Sequence, residues 1–208
     1  MHTNYFITIG RQFGSHGHFI GKLLAEKLGI AFYDKNLINI ASEKSGLGKE
    51  FFESADEKSS HSLLGGLFGL RNSALDEVSL NNYLCNETLF RIQSEVIRDI
   101  SGQQSAVFIG RCADYILKDT PNCVHVFIHA GKTERIKRVS ETYALSEKES
   151  VSLIQKTDKQ RATYYNYYTS KEWGAATSYD VCMNSSLLGS EGTMEVLHRI
   201  VSQKFLSK

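Results

Sequence analysis

The stretch that most narrows what this chain can become is residues 5–28, YFITIGRQFGSHGHFIGKLLAEKL. The run Tyr5-Phe6-Ile7-Thr8-Ile9 is apolar and short enough for a buried strand. It breaks into a glycine-studded turn, after which apolar residues recur at helical spacing, at Ile20, Leu23, Leu24 and Leu28. A strand that turns directly into a helix presents unpaired N–H groups and the positive end of the helix dipole at one point, which is a seat for an anion. Gly14 and Gly17 let the backbone turn tightly and approach a ligand closely.

The loop does not carry the full phosphate-binding signature G-x-x-x-x-G-K-[ST]. Aligned on strand and helix, Gly17 stands at the lysine, His18 at the metal-binding Ser/Thr, and Arg11 and His16 at the two flanking glycines, so only Gly14-Ser15 fits. A turn that merely joins strand to helix is the plain alternative.

Charge confines any anion site to a local one. The 208 residues hold 24 Lys+Arg against 23 Asp+Glu, a net charge of +1, which gives no electrostatic footprint for nucleic acid or a membrane surface. The N-terminus MHTNYFITIG enters a strand without a targeting segment, and no apolar run reaches membrane-spanning length, so a cytoplasmic protein of one domain is expected. Cys85, Cys112, Cys123 and Cys182 are scattered without C-x-x-C spacing and read as reduced thiols, with Cys123 and Cys182 expected in the core.

Further along, Gly29 ends the first helix and Ile30–Tyr33 reads as a second strand, followed by Asp34 as either a helix N-cap or a carboxylate beside the loop. A helical pattern with Leu37, Ile38 and Ala41 comes next. Residues 45–79 turn to Gly, Ser and charge, and Leu63, Leu64, Leu67, Phe68 and Leu70 there need a surface to rest on, which suggests a homo-oligomer. A long helix is expected over Leu80–Ile100 and a third strand over Ala106–Ile109, closed by Gly110-Arg111. Arg111 at a strand end needs an anionic partner, either a ligand or Asp114. Strands four and five are expected at Val124–Ile128 and Tyr179–Met183, with a closing helix over Met194–Phe205. Between them, Lys159 and Arg161 precede Tyr164, Tyr165, Tyr167 and Tyr168, rings expected to pack between helices rather than on bases. Alternating strands and helices imply a five-stranded parallel α/β sheet in three layers.

The ordered set ITIGRQFGSHG, LLAEKLGIAFYD, FIGRCADYIL, DKQRATYYNYYTSKEWG and YDVCMNSSLLG resembles the cytidylate kinase-like family over nearly the whole chain. The resemblance implies a P-loop kinase fold with ATP and Mg²⁺ as cofactors and a small phosphate acceptor, CMP being one candidate. A helical acceptor-binding insertion would span residues 35–102, and an arginine-bearing lid with its flanking helices residues 132–172. It matches Gly14, Ser15 and Gly17 to a modified glycine loop, Asp34 and Arg111 to the residues after strands two and three, Arg135 and Arg138 to the helix leading to the lid, and Lys159 and Arg161 to the lid itself. The site expected on this basis binds the cofactor with Gly14, Ser15, His16, Gly17, His18, Arg135 and Arg138 and the acceptor with Asp34, Arg111 and Asp114, while Arg11, Lys159 and Arg161 replace in the transfer step the charge missing at Gly17. Loss of the loop lysine and hydroxyl removes two devices of phosphoryl transfer, so a binding protein without turnover is the alternative. A dehydrogenase reading rests only on Tyr167 and Lys171 at Tyr-x-x-x-Lys spacing, while the turn lacks G-x-G-x-x-G. His16, His18 and His129 offer a conceivable metal site, but histidines in such a turn are better read as hydrogen-bonding groups.

Overall fold

The structure is a computed structural model that describes residues 4–35 and 75–207, with backbone alone for residues 75–86. Five strands form one parallel sheet in the order β2-β3-β1-β4-β5. They are β1 (Phe6–Arg11), β2 (Ala31–Tyr33), β3 (Ala106–Ile109), β4 (Cys123–His129) and β5 (Val181–Asn184). Among the described residues the helices are α1 (Gly17–Leu28), α2 (Leu75–Gln103), α3 (Ala113–Ile116), α4 (Lys132–Tyr143), α5 (Glu147–Thr169) and α6 (Ser185–Val201).

The central strands read as continuous apolar runs because both faces are covered, as a parallel sheet requires. On one face Ile7, Ile9, Val107, Ile109, Val124, Val126 and Ile128 pack against Ile20 and Leu24 of α1 and Met194, Leu197 and Val201 of α6. Full burial of each such side chain is worth about 1.5–3 kcal/mol, so this cluster fixes α1 against the sheet. Gly21 lets the helix come in close, since a Cβ there would stand 2.5 Å from Ile109 Cδ1. The first turn of α1 is thereby held over the carboxyl ends of β1 and β4.

Two sequence expectations shift. Tyr179 and Asp180 are not part of β5: Tyr179 packs its ring on Phe127 and Tyr165, and the Asp180 carboxylate accepts the His125 N–H at 2.8 Å. The strand begins at Val181 and lies at the sheet edge, where Val181 and Met183 face the core. Cys182 therefore points the other way and is exposed rather than buried, while Cys123 is buried as expected. The closing helix starts at Ser185, capped by the Asn184 side chain on the Ser186 N–H at 3.0 Å. Its early start escapes a periodicity reading because Gly189 (φ 67, ψ −177) breaks it after one turn.

The chain divides into two compact units, Met1–Lys35 with Arg98–Lys208, and Asn36–Ile97. The first contains the whole sheet. The expected helix at Leu37–Ala41 and the apolar segment Leu63–Leu70, with the oligomer expectation built on it, lie outside the described residues. No helix among the described residues is long and apolar enough to cross a membrane.

Candidate active site

The loop between β1 and α1 is held by backbone clamps. Asp158 on α5 accepts the Phe13 N–H at 2.8 Å, and Arg135 Nε on α4 donates to the Phe13 carbonyl at 2.7 Å. Arg135 and Asp158 are also ion-paired with each other, so one largely buried pair grips both the N–H and the carbonyl of a single residue, Phe13. Ser15 is fully buried; its hydroxyl donates to the Gln12 carbonyl at 2.8 Å and accepts the Gly17 N–H at 3.3 Å. Arg138 reaches the Gly14 carbonyl at 3.3 Å.

These bonds leave the start of α1 open. His16 occupies the N-cap position in the left-handed region (φ 60) and supplies no side-chain cap. Histidine tolerates that conformation better than most residues but glycine suits it best, which is the physical reason a glycine belongs there. The His16 ring is held instead by Ser190 Oγ at 3.0 Å, and burial followed by Arg138 keeps its pKa below the ordinary value. Among the described residues no protein acceptor takes the His16 or His18 N–H, so the first turn keeps the character of an anion seat. His18 Nε2 stands 2.9 Å from Asp34 Oδ2. No group of three His, Cys, Asp or Glu side chains among the described residues could hold a metal ion.

Two clefts open on this loop. One, about 320 Å³, is lined by Gln12–Gly14, His16–Phe19, Arg138 and Tyr143. The other, about 370 Å³, is lined by Lys35, Arg111, Asp114, Tyr164, Trp173 and Tyr179 among others. Arg11 and Arg161 line both. Arg161 Nη1 donates to the Arg11 carbonyl at 3.0 Å, and its guanidinium lies 5.5 Å from the Phe13 ring centre.

The larger cleft concentrates positive charge in a chain whose net charge is nearly zero. Arg11, Lys35, Arg111 and Arg161 all line it. Among the described residues no ion pair joins Arg11, Arg111 or Arg161 to a carboxylate. Burial, then Arg161 and Arg111, drive the Arg11 pKa down, and Arg111 followed by burial does the same to Lys35. Burial foremost also lowers that of Arg161. Guanidinium groups stay charged at neutral pH, so Arg11 and Arg161 carry a burial cost, with repulsion among the neighbouring cations added to it, that a bound anion would offset. Arg111 lies over the Tyr164 ring at 5.5 Å, not on Asp114. Asp114 accepts the Tyr165 hydroxyl at 2.7 Å, and burial pushes its pKa up. The ion pair of Arg111 with Asp114 considered from the sequence does not form.

Backbone strain sits at the same place. Gly110, Arg111 and Cys112 are all left-handed, with φ 72, 55 and 54. Non-glycine residues there cost about 1–2 kcal/mol each, and such strain concentrates at functional turns.

The structure thus brings Arg11, Gly14, His16, Gly17, His18, Arg138 and Arg161 to the smaller cleft and Arg111 and Asp114 to the larger. Ser15 holds the loop from within, Asp34 stands on His18, and Arg135 is taken up by Asp158 and Phe13. Lys159 is exposed on α5 and lines neither cleft. Sequence reasoning missed Lys35 and the aromatic wall of Trp173 and Tyr179. A signal for the first existed in the Asp34-Lys35 doublet at a strand end.

The cytidylate kinase-like family model matches residues 6–187. A crystal structure of an uncharacterized protein from Eubacterium ventriosum ATCC 27560 is similar at 26% identity, with 96% of this chain and 99% of that chain covered and a TM-score of 0.72. Shikimate kinase from Bacteroides thetaiotaomicron shares the fold at 13% identity, over 95% of this chain and 98% of that one, with a TM-score of 0.53. No curated protein matches the sequence.

Proposed function

Because the chain belongs to the cytidylate kinase-like family, we propose that it is an ATP-dependent phosphotransferase whose acceptor is a small phosphorylated molecule, a nucleoside monophosphate such as CMP being the first candidate. The observation that carries this is the pair of clefts meeting at Arg11 and Arg161. A donor on the loop and an acceptor in the larger cleft would bring their reacting ends together at two guanidinium groups. Charge at the moving phosphoryl group is what such an enzyme must neutralise, and positioning supplies most of the remainder. In this reading the polyphosphate of ATP rests on the N–H groups at the start of α1 with Arg138 beside it. Arg111 and Lys35 hold the acceptor's anionic group, and the aromatic wall takes its apolar part.

The fit for a protein-held Mg²⁺ is poor. Mg²⁺ prefers hard oxygen ligands, and an imidazole stands where the signature's hydroxyl would be, already facing Asp34. Mg²⁺ would supply charge neutralisation on the phosphates while ligated by them and by water.

A dinucleoside polyphosphate joining adenosine to cytidine tests the reading, because it spans both clefts at once. Its dissociation constant, measured by calorimetry, is expected roughly a hundredfold or more below that of ATP. No gain over ATP would mean that the clefts do not serve one reaction. A second reading, nucleotide binding without turnover, is favoured by the His18–Asp34 contact that replaces the metal hydroxyl. It requires ATP to bind and no acceptor to be phosphorylated.

A further inference from the structure

Gly17 is not in the left-handed region, so nothing in its backbone demands glycine. What demands it is space. A Cβ at position 17 would lie 2.6 Å from Arg11 Cβ and 3.2 Å from Arg11 Cγ, closer than real side chains approach. The far end of the same side chain is accommodated in the same way, because a Cβ on Gly110 would stand 2.1 Å from Arg11 Nη1. Two glycines from different turns therefore bracket the Arg11 side chain along its length. Its Nε is sealed from solvent without a hydrogen-bond partner, and the residue lines both clefts.

Position 17 is where the phosphate-loop signature has its lysine, and position 11 is where it has its first glycine. We infer that cation and glycine have changed places: the charge that the signature mounts on the helix is mounted here on the last residue of β1, and Arg11 is the catalytic cation of the loop. The inference rests on the phosphotransferase reading above for the word catalytic, while the exchange of positions rests on the packing of Arg11 against Gly17 and Gly110 and on the register of the signature. In the transfer step the bond from the terminal phosphorus to its bridging oxygen breaks, the electron pair leaves with ADP, and a bond forms to an acceptor phosphate oxygen. Arg11 exchanges no proton in that step and stays charged throughout. A guanidinium holds two oxygens side by side in the plane of its fork, a geometry that the point charge of a lysine does not impose, so the exchanged site would grip non-bridging oxygens in a plane. Arg161, which donates to the Arg11 carbonyl, lines the same two clefts.

The test is a reciprocal exchange read with tripolyphosphate, a probe that needs neither a base nor an acceptor. Four proteins are compared by calorimetry with melting temperature alongside: wild type, Arg11→Gly, Gly17→Lys, and the double variant. Arg11→Gly is expected to weaken tripolyphosphate roughly tenfold or more, as loss of a hydrogen bond to a charged group does. Gly17→Lys alone should bind weakly and melt lower, because its Cβ collides with Arg11. The double variant should return to within about threefold of wild type, a non-additivity expected only of residues that share one space. A double variant that folds and binds as poorly as the two single losses combined overturns the inference. Arg11→Gln keeps the aliphatic stem beside Gly17 and removes the charge, so it covers the case of a double variant that does not fold; wild-type affinity in that protein overturns the inference too, as does a wild type that fails to bind tripolyphosphate. If tripolyphosphate binding depends on Arg11 but terminal phosphate never leaves ATP for an acceptor, the relocation holds and the phosphotransferase reading alone falls.

Discussion

Neighbouring strands β1 and β3 run into the same tripeptide, Ile9-Gly10-Arg11 within β1 and Ile109-Gly110-Arg111 leaving β3, and the two isoleucines stand opposite each other in the sheet. The outcomes differ because the glycines differ. Gly10 stays in the strand, and its missing side chain makes room for Phe127 and Tyr179, whose atoms would lie 2.9 and 3.2 Å from a Cβ. Arg11 therefore remains extended and crosses toward Gly110. Gly110 is left-handed (φ 72), Arg111 and Cys112 follow it into that region, and the chain turns at once into α3. Arg111 accordingly faces Tyr164 in the larger cleft alone, while Arg11 serves both clefts. Three consecutive left-handed residues after β3 decide whether an identical motif puts its charge between both clefts or in the larger one alone.

The largest effect should come from the junction. Arg161→Ala, which removes the group bonded to the Arg11 carbonyl, is expected to lower kcat by roughly a hundredfold or more with little change in ATP affinity. Steady-state kinetics beside calorimetry checks it. An equal loss in kcat and in ATP affinity would place Arg161 with the resting donor instead of at the moving phosphoryl group.

At the acceptor end the expected signature is different in kind. Arg111→Ala should raise the acceptor KM about tenfold and leave kcat within a few-fold, since the interaction is made equally in ground and transition states. A collapse of kcat in this variant would erase the contrast between the two arginines.

Replacing the glycines separates space from backbone. Gly110→Ala forces an L side chain into the left-handed region and displaces the Arg11 guanidinium. A stability loss of about 1–2 kcal/mol is expected, together with a roughly tenfold fall in kcat. Gly10→Ala meets the Phe127 ring instead, so chemical denaturation should show a loss of about 1–3 kcal/mol from overpacking while kcat stays near wild type. Equal kinetic losses in both variants would mean that the Arg11 position does not depend on Gly110.

The smallest effect is expected two residues from the largest. Lys159 lies on α5 near Arg161 but is exposed and touches neither cleft, so Lys159→Ala should change kcat by less than about twofold. A loss on the scale of Arg161→Ala would show that the helix acts through its overall charge.

What the sequence disclosed and what it withheld divide along a physical line. Buried parallel strands announce themselves as short apolar runs, and α1 as a periodic stripe closed by Gly29, because those signals are local. The order of strands and their register follow from long-range packing and left no trace in spacing. At the site, Arg11, Arg111 and Arg161 were legible as charges where charges are costly. Their division of labour was not, since it depends on which glycine is left-handed and which is merely small. Gly17 shows the difference plainly: it reads as a turn glycine, yet its backbone is ordinary and its purpose is to vacate the space that Arg11 fills. Arg135 and Lys159 look alike in sequence to Arg138 and Arg161, and only the partners in three dimensions, Asp158 for one and solvent for the other, set them apart.

The central claim is that two clefts joined at Arg11 and Arg161 form one phosphoryl-transfer site. Following ATP labelled at its terminal phosphate, mixed with wild-type protein and a panel of nucleoside monophosphates, tests it most directly. The account predicts that the label moves to a monophosphate acceptor in wild type and that the rate falls roughly a hundredfold in Arg161→Ala. ATP that binds and raises the melting temperature while its label reaches no acceptor would contradict it.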